Sequence, residues 1–120
     1  AELVRRREVS PRELVDAAIA RLETLNPKLG AVIHPCLEQA RARAAAKDLP
    51  DGPFRGVPFL MKDLGAPEAG QPYCAGMKAL REANWRPDVD AYLTRRFRAA
   101  GLISLGRTTV PELGLLPVSE

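Results

Sequence analysis

The stretch Phe54-Arg55-Gly56-Val57-Pro58-Phe59-Leu60-Met61-Lys62-Asp63-Leu64 constrains the fold more than any other part of the chain. Its apolar residues fall on both alternating sides, Val57, Phe59 and Met61 on one and Leu60 on the other, where Lys62 follows in phase. A strand apolar on both faces reads as an interior strand of a covered sheet, because each face must bury against another layer. Lys62 then marks the strand's carboxyl end. In open α/β sheets ligand crevices form outside the carboxyl ends of strands. A lysine desolvated there can lose its proton and act as a base, whereas one at the rim snorkels to water or pairs with its neighbour Asp63. Asp63 in turn can orient a loop, bond backbone N–H groups or be solvated. Position alone decides neither residue.

The remaining segments supply the layers such a strand needs. A short helix is expected over residues 2–8. Ser10-Pro11-Arg12-Glu13 is a capping box with proline at the first helical position, which fixes the start of a second helix. Leu14, Ala18, Leu22 and Leu25, with Val15 and Ile19 beside them, form its apolar stripe, and it is expected to end near Asn26-Pro27. Ala31-Val32-Ile33 is a short strand candidate, Cys36 to Lys47 an alanine-rich helix, and Leu49 to Pro53 a loop by its turn residues. After the opening strand, residues 65–76 read as a loop and 77–84 as a brief helix. Asp88 or Asp90 caps a further helix with Val89, Tyr92, Leu93, Phe97 and Ala100 on its inner side, ended by Gly101. Leu102 to Gly106 is a second central strand, and Arg107 to Glu112 leaves it as a loop. Alternating helices and strands imply an α/β architecture.

At 120 residues the chain has the size of one domain. Its formal charge of +3 comes from arginines scattered among acids, which reads as solvated helix faces rather than a nucleic-acid surface. Cys36 and Cys74 form no C-x-x-C pair and have only His34 as a nitrogen partner, so a metal set is not expected and both thiols read as reduced and structural. His34 reads as structural too. No apolar run approaches the roughly 18 residues of a membrane helix, and the amino end lacks a signal-peptide core. The expectation is a cytoplasmic protein that contacts no membrane and needs no cofactor. None of Ser10, Ser104 and Ser119 sits on a tight glycine turn that would present a nucleophile, and no Gly-x-Gly phosphate pattern is present. The missing initiator methionine and the end at Val118-Ser119-Glu120 suggest a chain cut from something longer.

Taken together, Arg55 to Asp63 and Ala99 to Gly114 resemble the amino-terminal part of the amidase signature family, as do Ser10 to Leu14 with Asn26-Pro27, and Asp90 to Tyr92 ahead of Arg98 to Gly101. Gly76 to Lys78 and Asp88 to Tyr92 are most similar to the branch that holds 6-aminohexanoate cyclic-dimer hydrolase. The resemblance implies the amino-terminal part of that family's fold, a mixed β-sheet covered by helices, and residues 1–120 as the first segment of a single amidase domain, truncated before its catalytic serines. It also implies a Ser-Ser-Lys hydrolase of small-molecule amides. In that family the lysine ending the Gly-Val-Pro strand is the base, and Lys62 is the matching position. Departures lie at Thr109, where the family often has asparagine, and near Met77, where it often has serine. Without the serines, this polypeptide alone is expected not to hydrolyse amides. Two other readings stand beside it: the amidase subunit of a tRNA-dependent amidotransferase, and a non-catalytic interaction module whose exposed strand edges pair with a partner or a second copy.

Overall fold

The computed structural model describes residues 1–119. The first helix, α1 (Glu2–Arg5), is a single turn, shorter than the expected 2–8, and the chain breaks from it at Arg7 with a φ of 58°. Helix α2 (Pro11–Leu29) starts where the capping box places it. Glu13 N donates to Ser10 Oγ at 3.2 Å and Ser10 N donates to the Glu13 carboxylate at 2.8 Å, so two orphan donors are satisfied reciprocally. It does not stop at Asn26-Pro27. Pro27 lies inside the helix, which closes at Gly30, where a left-handed backbone (φ 60°) lets the Gly30 N–H reach Asn26 O at 2.8 Å. The Asn26 side chain bonds the Val32 backbone in both directions, at 2.9 and 2.8 Å. These closing bonds offset the one that proline removes.

Strand β1 (Val32–Pro35) leads into α3 (Leu37–Ala45), and a turn-rich loop reaches β2 (Pro58–Lys62). Then come α4 (Lys78–Glu82), α5 (Tyr92–Ala99), β3 (Ile103–Thr108) and a 3-10 turn at Glu112–Gly114. The sheet order is β1-β3-β2, with the central β3 antiparallel to β1 and parallel to β2. This is a mixed sheet with helices, the α/β class expected. Its core joins Val15 and Ile19 of α2, Ala40 and Ala44 of α3, Leu49, and Ile103 and Leu105 of β3.

Three expectations are corrected. The opening strand, β2, is an edge strand, with no strand on its second side among the described residues. Its two-sided apolar pattern reports cover above and below, as where Phe59 meets Phe97 of α5 at 4.9 Å between ring centroids, and says nothing about hydrogen-bonded neighbours. Strand β3 continues beyond Gly106, because Arg107 pairs with His34 on one side and Met61 on the other. Helix α5 lacks the expected cap, and of its expected inner side Phe97 and Ala100 are partly buried while Val89, Tyr92 and Leu93 are exposed. Asp90 reaches across to accept from Ala69 N at 2.8 Å and to pair with Arg98, leaving Ala91 as an N-cap without a side-chain bond. Val89 and Tyr92 are 72% and 70% exposed, while Thr94 is buried and donates to Pro67 O at 2.8 Å. No helix among the described residues is long and apolar enough to cross a membrane.

Candidate active site

Lys62 is the last residue of β2, level with Thr108 of the parallel β3, so the fold delivers it to the carboxyl end of that strand pair. The burial that would keep an amine neutral is not supplied by residues 1–119. Lys62 is exposed, and among the described residues its amine has no ion pair and no hydrogen bond. None of the three serines bonds to it either: Ser10 caps α2, Ser104 lies within β3, and Ser119 Oγ sits 2.8 Å from Thr109 Oγ1.

Asp63 settles differently. It is 0% exposed, and both carboxylate oxygens accept from the Cys74 N–H, at 3.1 and 3.2 Å. A carboxylate taken wholly out of water needs such donors. Of the roles left open by the sequence, bonding backbone N–H is the one it fills, and it thereby ties the loop after β2 to the strand end. That loop also closes on the segment leaving β3. Gly76 has a φ of 74°, and a Cβ on it would lie 2.5 Å from Pro111 O, so glycine permits a backbone-to-backbone approach no other residue would. Leu113 N then donates to Ala75 O at 2.8 Å.

Arg107, read from the sequence as a loop residue, is in β3 and only 3% exposed. Its Nη1 donates to Lys62 O at 3.2 Å and its Nη2 to Ala66 O at 2.7 Å. The guanidinium carbon lies 5.3 Å from the centroid of the Tyr73 ring. An arginine inside an apolar strand, directly after Leu105-Gly106, was the one available signal.

The structure also joins His34 of β1 to Cys74, Nε2 to Sγ at 3.3 Å, with Asp63 adjacent, so that donor atoms of all three lie within 4.8 Å of one another. They come from three separate segments, so no single motif in the sequence joins them. Burial, and after it the Asp63 charge, push the Cys74 thiol up. Burial pushes the His34 imidazole down, against the Asp63 charge and with help from Arg81, Arg107 and Arg86. The pair is thus a neutral imidazole against a neutral thiol. The contact ties β1 to the loop after β2.

A family model for Amidase matches residues 13–120. The 6-aminohexanoate-cyclic-dimer hydrolase of Paenarthrobacter ureafaciens is 45% identical over 114 residues, covering 95% of this chain and 22% of that protein. The protein of the same name from Pseudomonas sp. (strain NK87) is 42% identical over 120 residues, covering 100% of this chain and 24% of that protein. A solved structure of 6-aminohexanoate cyclic dimer hydrolase complexed with substrate matches with a TM-score of 0.90 at 43% identity, covering 100% of this chain and 24% of that one. The chain therefore spans about a quarter of the length of these relatives. The resemblance read from the strand ending in Lys62 and the segment around β3 holds along the chain: from Glu13 onward it belongs to the amidase signature family.

Proposed function

We propose that residues 1–120 are the amino-terminal segment of a Ser-Ser-Lys amide hydrolase and that Lys62 is its base. The observation that carries this reading is the placement of Lys62 at the carboxyl end of β2 in a chain of this family. A neutral Lys62 amine takes the proton of a nucleophilic serine through a second serine, and the serine oxygen attacks the carbonyl of a small-molecule amide. Backbone N–H donors hold the oxyanion, each worth about 3 kcal/mol. Collapse expels the amine, which carries away the proton, and water releases the acid. Both serines belong to chain outside these 120 residues. The exposed, unpartnered amine at the carboxyl end of β2 fits a base that is desolvated only when that further chain packs over it.

The setting proposed is the cytoplasm, where the free thiols of Cys36 and Cys74 stay reduced. The open edge of β2 also supports a second reading for the isolated chain, self-association by strand pairing. Size-exclusion chromatography separates the two, since a clean monomer removes the second. For the enzyme, the full-length polypeptide is assayed on linear and cyclic amides. Lys62→Ala is expected to lower kcat by roughly 10²- to 10⁴-fold, the range of general acid–base catalysis, and the 120-residue chain to be inactive. Wild-type turnover by Lys62→Ala would overturn the assignment. Dependence on glutamine and a charged tRNA, with no hydrolysis of simple amides, would replace it with the amidotransferase reading.

A further inference from the structure

We infer that Arg107 is a positioning residue for Lys62, holding the backbone of the base without touching substrate. This rests on the reading of Lys62 as the base. The guanidinium is nearly inaccessible, and none of the ion pairs among the described residues includes it. Burying a cation without a carboxylate against it is costly. What it receives in exchange is two carbonyls, Lys62 O at 3.2 Å and Ala66 O at 2.7 Å, the two ends of the turn that leaves β2. A planar fork of donors can bridge two fixed acceptors in this way, while an ammonium is a point charge on a flexible stem.

The same turn is gripped again from beside the guanidinium. Tyr73, whose ring lies by Arg107, accepts from Gly65 N through its hydroxyl at 3.1 Å. Lys62 O, Gly65 N and Ala66 O are thus all taken by two side chains in mutual contact. The backbone of Arg107 is itself fixed, since β3 is central and pairs with both neighbours. The arrangement anchors the Cα of Lys62 from the middle of the sheet and leaves its side chain unencumbered. Such anchoring matters for catalysis, because displacing a reacting group by about 1 Å costs on the order of 10²-fold in rate.

The test uses the full-length polypeptide, with kcat and KM read separately on an amide it hydrolyses. Arg107→Ala is expected to lower kcat roughly ten- to hundred-fold with KM within about twofold, and free guanidinium ion to restore part of the loss. Arg107→Lys, charged but unable to bridge both carbonyls, is expected to stay impaired. Tyr73→Phe, which removes only the acceptor for Gly65 N, is expected to lower kcat by less. Folded Arg107→Lys with wild-type kcat overturns the role, and so does a loss confined to KM. If the arginine variants do not fold, wild-type kcat in Tyr73→Phe overturns it. Lys62→Ala runs alongside. Full activity in that variant removes the base reading, whereas an inactive Lys62→Ala beside unimpaired Arg107 variants removes only the positioning role.

Discussion

Asp63 offers the sharpest check on how the strand end is built. Asp63→Asn keeps the shape and one carbonyl oxygen for the Cys74 N–H, and loses the charge. A hydrogen bond to a charged group contributes roughly 1.5–3 kcal/mol and a neutral one roughly 0.5–1.5, so the substitution should cost about 1 kcal/mol. Asp63→Ala removes the acceptor altogether. Cys74 is 2% exposed, so its N–H cannot turn to water, and an orphaned buried donor costs roughly 1–3 kcal/mol, with a further penalty for the space left by the carboxylate. Urea denaturation of the two variants and the parent chain gives the differences directly, with the slope of the transition checked for constancy. Hydrogen exchange at the Cys74 amide gives the local reading: protection should survive in Asp63→Asn and fall in Asp63→Ala. Equal stability of the alanine variant and the parent, or unchanged protection at Cys74, would refute the argument that this carboxylate holds the loop.

Two further outcomes follow from groups around the same site. Gly76→Ala should destabilise by more than about 1 kcal/mol, because alanine at a positive φ carries that much strain and the new methyl would lie 2.5 Å from Pro111 O; an unchanged urea midpoint would refute it. His34 is the chain's one histidine and burial holds its imidazole below the usual range, so the unfolded state binds the proton first as pH falls. The stability it contributes is complete above the ordinary imidazole pKa and is lost progressively as pH drops through that value toward the lower folded one. Thermal melts from pH 8 to pH 5.5 should show a falling Tm that His34→Gln flattens, and a Tm that rises over that window would contradict the sign.

What could be read from the sequence was what short-range chemistry decides. The Ser10–Glu13 box places the start of α2 because all its atoms lie within one turn, and Gly101 ends α5 for a similar reason. Pro27 misled because the bonds that tolerate it come from Gly30 and Val32, outside the helix-ending rule for proline. Asp90 misled because its partners, Ala69 and Arg98, compete with the cap it would otherwise make. The strand ending in Lys62 was legible as a strand and in its direction, but its place at the edge was not, since apolar alternation counts covered faces. The surroundings of Arg107 and the His34–Cys74 contact were not legible because each joins separate segments: Arg107 reaches the turn after β2 through the pairing of β3 with β2, and His34 of β1 meets Cys74 in the loop after β2, while register has no signature in either strand alone.

The exposure of Lys62 and the open edge of β2 are two separate features of the same strand, one of a sheet face and one of the sheet's backbone rim. A lysine is a useful base only where water is kept from its ammonium form, and the desolvation that neutralises an amine is a property of what packs over it. Residues 1–119 build everything beneath the amine: a central β3, a turn held through Lys62 O and Ala66 O, and a loop fixed by Asp63. They leave uncovered the side on which the amine is free, together with an apolar groove of about 510 Å³ between α2 and β2 lined by Leu22, Leu25, Leu29 and Leu60. If Lys62 is the base, as proposed, this segment already contains what places its backbone, while the cover over its side chain is absent from the described residues. On the proposed reading the two are supplied by different parts of one polypeptide, so a substitution such as Arg107→Lys should change where the amine sits, whereas a change in the covering chain should alter when it is neutral. The first should appear as a drop in the limiting rate at every pH, the second as a displacement of the pH at which the rate is half-maximal.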